Sequence, residues 1–69
     1  MPLVQVTMIE GRTQEKKEAF CREVAEAAVR HLDVELQQVR VVISEVPAEH
    51  WTIGGVSKAT LDAQKAASE

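Results

Sequence analysis

The 69-residue chain has few of the side chains that small domains use for covalent or metal cross-links. Cys21 is the one cysteine, so no disulfide can form within the chain. Cys21, His31 and His50 are isolated and show no metal-ligand spacing, so we predict no metal site. A single core of this size supplies only roughly 3–5 kcal/mol without such help. With one Trp, one Phe and no Tyr, we expect an aliphatic core shared between the subunits of an obligate homo-oligomer.

The chain also lacks long apolar runs and concentrated positive charge. No run approaches the roughly 20 apolar residues that span a bilayer, and no basic leader precedes an apolar stretch. The formal net charge is −3, and the eight Lys and Arg residues are scattered rather than gathered in a stripe. We therefore expect a soluble, cytoplasmic protein that binds neither a membrane nor a nucleic acid.

The clearest pattern that is present is strand, helix, strand. Apolar side chains alternate over residues 3–9 and 39–45, which predicts two β-strands. Between them, apolar residues recur at steps of three and four over residues 14–32, which predicts a helix capped by Thr13. Lys16 stands where a complete capping box would have Glu or Gln. This spacing predicts an α/β (α+β) architecture, a right-handed βαβ unit with parallel strands.

The predicted unit has an uncovered sheet face and a C-terminal extension. One helix covers one face of a two-stranded sheet, so Leu3, Ile9 and Val42 are candidates for a face that another subunit covers. The segment HWTIGGVSK predicts a hairpin, or an arm that reaches a neighbour. We expect one domain over residues 1–69, in which residues 56–69 form a C-terminal tail or short helix.

Three residues break local rules, and such breaks often mark function. Pro2 becomes a free secondary amine if Met1 is removed, and an α-amino group has an unperturbed pKa of about 7.7–8.0. Arg12 stands just before a helix N-terminus, where the dipole disfavours a cation. Arg40 lies within the aliphatic run VRVVI, where a buried charge needs a partner. Each residue also has a purely structural interpretation: Pro2 opens a strand, Arg12 is a solvated turn residue, and Arg40 protects a strand edge. The functional alternative is that Pro2 is a base and that the arginines bind an anion.

Taken together, these features resemble the 4-oxalocrotonate tautomerase family of the tautomerase superfamily. The resemblance covers about residues 2–55, from PLVQVTMIEGRT through the helix to VRVVISE and HWTIGG. Its most specific parts are Pro2, the EGR turn with Arg12, the strand with Arg40 and the aromatic Trp51 before IGG. The resemblance implies a βαβ tautomerase fold with parallel strands and a C-terminal hairpin, assembled into dimers and then into a hexamer, a trimer of dimers.

The resemblance also implies an activity, that of a cofactor-independent isomerase. In such an enzyme Pro2, freed by processing, would act as the general base that ketonises a 2-hydroxydienoate such as 2-hydroxymuconate to 2-oxo-3-hexenedioate. Arg12 and Arg40, drawn from different subunits, would hold a dicarboxylate or 2-oxo acid substrate and assist catalysis. Trp51 and Ile9 would contact the substrate, and an apolar pocket closed by Trp51 would help to lower the pKa of the proline amine.

Two departures from the family pattern and two alternative functions accompany this interpretation. The family usually has Phe at the position of Trp51, and the segment after Gly55 is longer than usual. One alternative is a hydratase or dehalogenase of the same superfamily, in which a protonated proline is the acid and a carboxylate, for which Glu49 is the candidate, activates water. The other is a non-catalytic subunit of a mixed hexamer, which an intact Met1 on the mature protein would favour.

Overall fold

Two strands, one long helix, a short hairpin and a C-terminal helix make up the chain. The computed structural model describes residues 1–68, and side chains through residue 67. In chain order the elements are β1 (Leu3–Ile9), α1 (Gln14–Leu32), β2 (Arg40–Val46), β3 (Thr52–Ile53), β4 (Val56–Ser57) and α2 (Lys58–Ser68). Short 3₁₀ turns at Leu36–Gln38 and Ala48–His50 stand on either side of β2.

Strands β1 and β2 pair in parallel, as the strand, helix, strand pattern predicts. The register runs from Leu3 opposite Arg40 to Ile9 opposite Val46. Burial alternates along both strands: Val4 and Val6 on β1 are half-buried, as are their β2 neighbours, whereas the residues between them are exposed. One face of the sheet is therefore covered, and α1 contacts β2 on this side.

The residues that flank helix α1 explain where it begins and where it ends. Thr13 is in an extended conformation, and its side-chain oxygen accepts a hydrogen bond of 3.3 Å from the backbone N–H of Lys16. That bond satisfies one of the free N–H groups of the first turn and confirms the predicted cap. Asp33 follows the last turn in the left-handed conformation, with φ of 55°, and stops the helix.

The second strand is shifted by one residue from the predicted range of 39–45. The backbone N–H of Val39 donates to the carbonyl of Leu36 at 3.2 Å and closes the preceding 3₁₀ turn. That N–H is therefore not free to pair with β1, and the ladder starts at Arg40. At the other end the N–H of Glu10 donates to the carbonyl of Val46 at 2.9 Å, which extends the pairing by one residue.

The single chain has almost no interior of its own. Of the residues that the structure describes, only Ala28 is buried, at 9% exposure. On the sheet face away from α1, defined here as the open face, Leu3 is 57% exposed and Val42 is 48% exposed. Burying these side chains would stabilise the fold by about 25 cal/mol per Å² of apolar surface, so the open face favours a covering partner.

The C-terminal part forms a hairpin followed by a helix. Strands β3 and β4 pair antiparallel around Gly54 and Gly55, whose φ angles of 63° and 84° suit a two-residue turn. Ser57 then accepts a hydrogen bond of 3.1 Å from the N–H of Thr60 and caps α2. The predicted hairpin is confirmed, and the stretch left open between a tail and a short helix is helical over Lys58–Ser68. Residue 69 of that stretch lies outside the described residues.

Neither helix in the described part of the chain is long and apolar enough to cross a membrane.

Candidate active site

Pro2 lies half-buried at the head of β1, directly beside the start of β2. Its carbonyl oxygen accepts a hydrogen bond of 3.0 Å from the backbone N–H of Arg40. Proline lacks a backbone N–H once it is part of a chain, so it loses nothing by opening the strand. The bond instead uses the one backbone group that proline does offer, and it joins two of the predicted site residues.

Arg40 projects from the open face and is exposed, although its aliphatic neighbours predict burial. The reason is the alternation of the strand, because Val41 and Ile43 face α1 while Arg40 points the other way. Its guanidinium donates one hydrogen bond, to the carbonyl of Gln37. In the described part of the chain the guanidinium has no acidic partner, so most of its five donors are available to a ligand.

Arg12 follows the far end of β1 and is also exposed. Its guanidinium donates a long hydrogen bond of 3.4 Å to the carbonyl of Ile9. With Lys16 and three other residues it lines a groove of about 320 Å³; we call this the basic groove, and its lining residues are Met8, Arg12, Lys16, Lys17 and Phe20.

The ends of β1 divide the predicted site residues into two groups. Pro2 and Arg40 stand together at one end, whereas Ile9 and Arg12 stand at the other. The strand between them has six residue steps, which span about 20 Å at the usual rise. One chain therefore does not bring Pro2 and Arg12 together around a small substrate.

Trp51 belongs with the second group by its position in the chain. It follows β2 by five residues, and β2 ends at Val46, opposite Ile9. The indole is half-buried, and the backbone carbonyl of Trp51 accepts a hydrogen bond of 2.6 Å from the N–H of Lys58. The start of α2 thus holds the backbone of Trp51 in place.

The side chains that could activate water, act as a nucleophile or bind a metal do not lie together in a site within the described residues. Glu49 is exposed in the turn before Trp51 and has no hydrogen bond or ion pair with any described residue. Cys21 is a half-buried free thiol on α1. Within the described residues, no group of three or more His, Cys, Asp and Glu is placed to hold a metal ion.

Two features of the site escaped sequence reasoning. Lys17 and Glu45 form an ion pair of 2.8 Å between α1 and β2, with side chains only 17% and 30% exposed. A separation of 28 residues hides such a pair from any local pattern. The other feature is the position of Lys16 in the basic groove with Arg12, which no periodic pattern in the sequence signals, because Arg12 precedes the helix that carries Lys16.

Comparison with known proteins decides the family. A family model described as "Tautomerase enzyme" matches residues 2–61. The chain belongs to the tautomerase family. A probable tautomerase of Ralstonia nicotianae is 53% identical over 58 residues, which cover 84% of this chain and 83% of that protein. The 2-hydroxymuconate tautomerase of Pseudomonas sp. strain CF600 is 51% identical over 55 residues, which cover 80% of this chain and 87% of the relative.

Solved tautomerase structures superpose on most of this chain. One, from work on the 4-oxalocrotonate tautomerase isozymes of Methylibium petroleiphilum, has a TM-score of 0.88 at 40% identity and covers 91% of this chain and 98% of its own. Another, from a heterohexamer 4-oxalocrotonate tautomerase of Chloroflexus aurantiacus, has a TM-score of 0.84 at 48% identity and covers 88% and 98%. The family resemblance, the βαβ tautomerase fold and the assignment to the isomerases are thereby confirmed.

Proposed function

We propose that this tautomerase ketonises a 2-hydroxydienoate, such as 2-hydroxymuconate, to the 2-oxo-3-enoate, with Pro2 as the general base after removal of Met1. Relatives about 50% identical are named 2-hydroxymuconate tautomerases, which supports the substrate class. The observation that carries the role of Pro2 is the hydrogen bond between its carbonyl and the backbone N–H of Arg40, because it puts the two residues side by side at one end of the sheet, and Arg40 is exposed there. A base next to a carboxylate-binding cation is what this reaction needs.

The chemistry is a proton transfer that balances without any other reactant. The neutral amine of Pro2 removes the proton of the 2-hydroxyl group, and the oxygen electron pair forms the C2 carbonyl. The double bonds shift along the diene, and C5 takes the proton back from the prolinium. No electron leaves or enters the substrate, and no group is transferred, so the residues of the protein suffice for the reaction.

Two guanidinium groups suit a substrate that carries two carboxylates. Arg40 and Arg12 have no acidic partner within the described chain, and a guanidinium binds a carboxylate through two parallel hydrogen bonds. A fixed cation near the 2-oxo end also stabilises the negative charge that develops on oxygen during proton removal. We assign both arginines to substrate binding and to this electrostatic assistance.

An apolar wall completes the proposed site. Trp51 and Ile9 are half-buried in the single chain, and both belong to the Arg12 end. Packed against the carbon skeleton of the substrate, they would keep water away from the amine and favour its neutral form. We assign Trp51 and Ile9 to substrate binding.

The site needs more than one subunit. Pro2 and Arg12 of one chain lie at opposite ends of β1, and the open face leaves Leu3 and Val42 exposed. We propose dimers that join into a homohexamer, in which Pro2 of one subunit meets Arg12 of another. The two ends of β1 would then take part in two different active sites.

A second candidate function is that of a non-catalytic subunit in a hexamer of two unlike chains. The Chloroflexus aurantiacus protein, 48% identical, is a heterohexamer. By the same arrangement this chain could be one of two unlike subunits and leave catalysis to its partner. The purified chain alone would then be inactive, and its mature form would keep Met1.

One experiment tests the proposal directly. The ultraviolet absorbance of 2-hydroxymuconate is followed with the native protein and with the Pro2→Ala variant, and intact mass shows whether each has lost Met1. We expect rapid ketonisation by a native protein that lacks Met1, and a large loss in Pro2→Ala. Absence of acceleration by the native protein, or full activity in Pro2→Ala, rejects Pro2 as the base.

A further inference from the structure

The basic groove beside Arg12 joins positive charge to an apolar surface. Arg12, Lys16 and Lys17 contribute three cations to its wall, and Met8 and Phe20 contribute the apolar part. No acidic side chain is among the residues that line it. A concave surface with a few convergent polar groups on an apolar floor is the usual form of a small-molecule site.

The three cations of the groove are not equivalent. Lys17 is neutralised by Glu45, whose carboxylate oxygen lies 2.8 Å from its Nζ. Arg12 has only the long hydrogen bond to a carbonyl, and Lys16 makes no side-chain hydrogen bond or ion pair with any described residue. Two uncompensated positive charges therefore remain, on residues four positions apart.

This arrangement is unfavourable without an anion and favourable with one. Like charges that line one small groove repel each other, whereas a carboxylate bound there would be attracted by both. Arg12 presents a planar fork of donors, and Lys16 presents a point charge on a flexible stem that can reach the same carboxylate from one side. Met8 and Phe20 are placed to contact the carbon chain that leads to it.

We infer that Lys16 is a specificity-determining residue, which together with Arg12 holds the distal carboxylate of a dicarboxylate substrate in the basic groove. This inference rests on the function proposed above, and it adds Lys16 to a site that otherwise relies on two arginines. It makes the enzyme prefer substrates that carry a second negative charge over those that end in an apolar group.

The test compares four proteins on two substrates. The proteins are the native chain, Lys16→Gln, Lys16→Arg and Arg22→Gln, the last being a control that removes one positive charge from an exposed position elsewhere on α1. The substrates are 2-hydroxymuconate and a 2-hydroxydienoate with a single carboxylate. A parallel titration measures the binding of muconate, which lacks the 2-hydroxyl group and cannot react, through the fluorescence of Trp51, the one Trp in the chain.

We expect Lys16→Gln to raise the KM for the dicarboxylate and the Kd for muconate about twofold to fivefold, the size of a partly exposed charge pair. The KM for the monocarboxylate and kcat should not change, Lys16→Arg should keep native values, and Arg22→Gln should match the native protein. Added salt should weaken muconate binding more in the native protein than in Lys16→Gln.

Unchanged KM and Kd in Lys16→Gln would overturn the inference, as would equal shifts on both substrates or in Arg22→Gln. The muconate titration separates this inference from the proposed function. A native protein that turns over neither substrate but loses muconate affinity in Lys16→Gln would reject the function and keep the anion site. Normal turnover by the native protein, together with unchanged muconate affinity in Lys16→Gln, would keep the proposed function and reject the anion site.

Discussion

The backbone N–H of Arg40 donates a hydrogen bond of 3.0 Å to the carbonyl oxygen of Pro2, which ties the first residue of one parallel strand to the residue that precedes the other. This bond is made by main-chain atoms and does not depend on either side chain. The bond thus fixes the backbone of Pro2, while the guanidinium of Arg40, which donates one hydrogen bond to the carbonyl of Gln37, keeps further donors for an anion. Substitutions can therefore test the two side chains separately without removing the bond between them.

The first prediction concerns the amine of Pro2. A chain of 69 residues is short enough for chemical synthesis, so residues 1–69 and 2–69 can each be made and refolded. We expect the shorter form to ketonise 2-hydroxymuconate and the longer form to be slower by about 10²–10⁴-fold, the usual contribution of a positioned base. The reason is that Met1 converts the secondary amine into an amide, which cannot accept the proton. Equal rates for the two forms would contradict the assignment.

The second prediction concerns Arg40. The Arg40→Gln variant keeps the backbone bond to Pro2 and loses the guanidinium. A hydrogen bond to a charged group contributes about 1.5–3 kcal/mol, so kcat/KM for a dicarboxylate should fall roughly 10- to 150-fold. Steady-state kinetics on a dicarboxylate and a monocarboxylate provide the measurement, with Arg22→Gln as the charge-matched control. The monocarboxylate should lose as much, because it keeps the carboxylate beside the 2-hydroxyl group and lacks only the distal one assigned to Arg12 and Lys16. Unchanged kcat/KM on both substrates would show that Arg40 does not bind the substrate.

Most of the fold could be predicted from the sequence because its elements have strong periodic patterns. The alternation over residues 3–9 and the cap at Thr13 placed β1 and α1 at their observed bounds. The start of β2 could not be placed, because Val39 continues the apolar alternation although its N–H is used by the preceding turn. The sequence does not distinguish helix α2 from a tail, because Leu61 is its only large apolar residue, and a single such residue makes no stripe.

Only part of the candidate site could be predicted from the sequence, because the positions of its residues relative to one another depend on how the elements pack. Pro2, Arg12 and Arg40 each break a local rule that is visible in the sequence. Their relative positions depend on pairing between strands, which puts Pro2 beside Arg40 and leaves Arg12 about 20 Å away along β1. The ion pair of Lys17 and Glu45, and with it the unbalanced charge on Lys16, needs the packing of α1 on β2 and has no signature in either segment.

A third prediction concerns the turn of the hairpin. Gly54 has a φ of 63°, and a Cβ built there meets no atom within 4 Å, so the cost of a side chain is purely conformational. Gly54→Val should lower the free energy of unfolding by about 1–2 kcal/mol, because the left-handed region is strained for L-residues. Gly54→Asn should be nearly neutral, since Asn followed by Gly is favoured in such turns.

Urea unfolding at one fixed protein concentration measures both variants, because the stability of an oligomer depends on concentration. Similar losses in Gly54→Val and Gly54→Asn would show that the cost lies in contacts with a neighbouring subunit rather than in the backbone. A neutral Gly54→Val would show that the turn does not need its left-handed conformation.

The last prediction tests whether one active site draws on two subunits. Pro2→Ala and Arg12→Gln should each be nearly inactive as pure proteins, because each lacks one part of every site. Pro2 and Arg12 lie at opposite ends of β1, so a site that contains both takes them from different chains. Unfolding the two variants together and refolding the mixture should therefore restore activity. With equal amounts and random assembly, about one quarter of the sites would be intact, since each position is native in half of the subunits.

The matched control is a mixture of Pro2→Ala with the double variant Pro2→Ala/Arg12→Gln. This mixture contains Arg12 but no Pro2, so refolding should restore nothing if Pro2 is the base. A mixture of the two single variants that also stays inactive would mean that Pro2 and Arg12 act within one chain, or that the subunits do not exchange. Exchange itself is measured by native mass spectrometry of the same mixture with one variant uniformly labelled with ¹⁵N, because the two substitutions alone change the subunit mass by almost the same amount. Mixed oligomers without activity would then reject the shared site, whereas mixed oligomers with activity place the two ends of β1 in separate active sites.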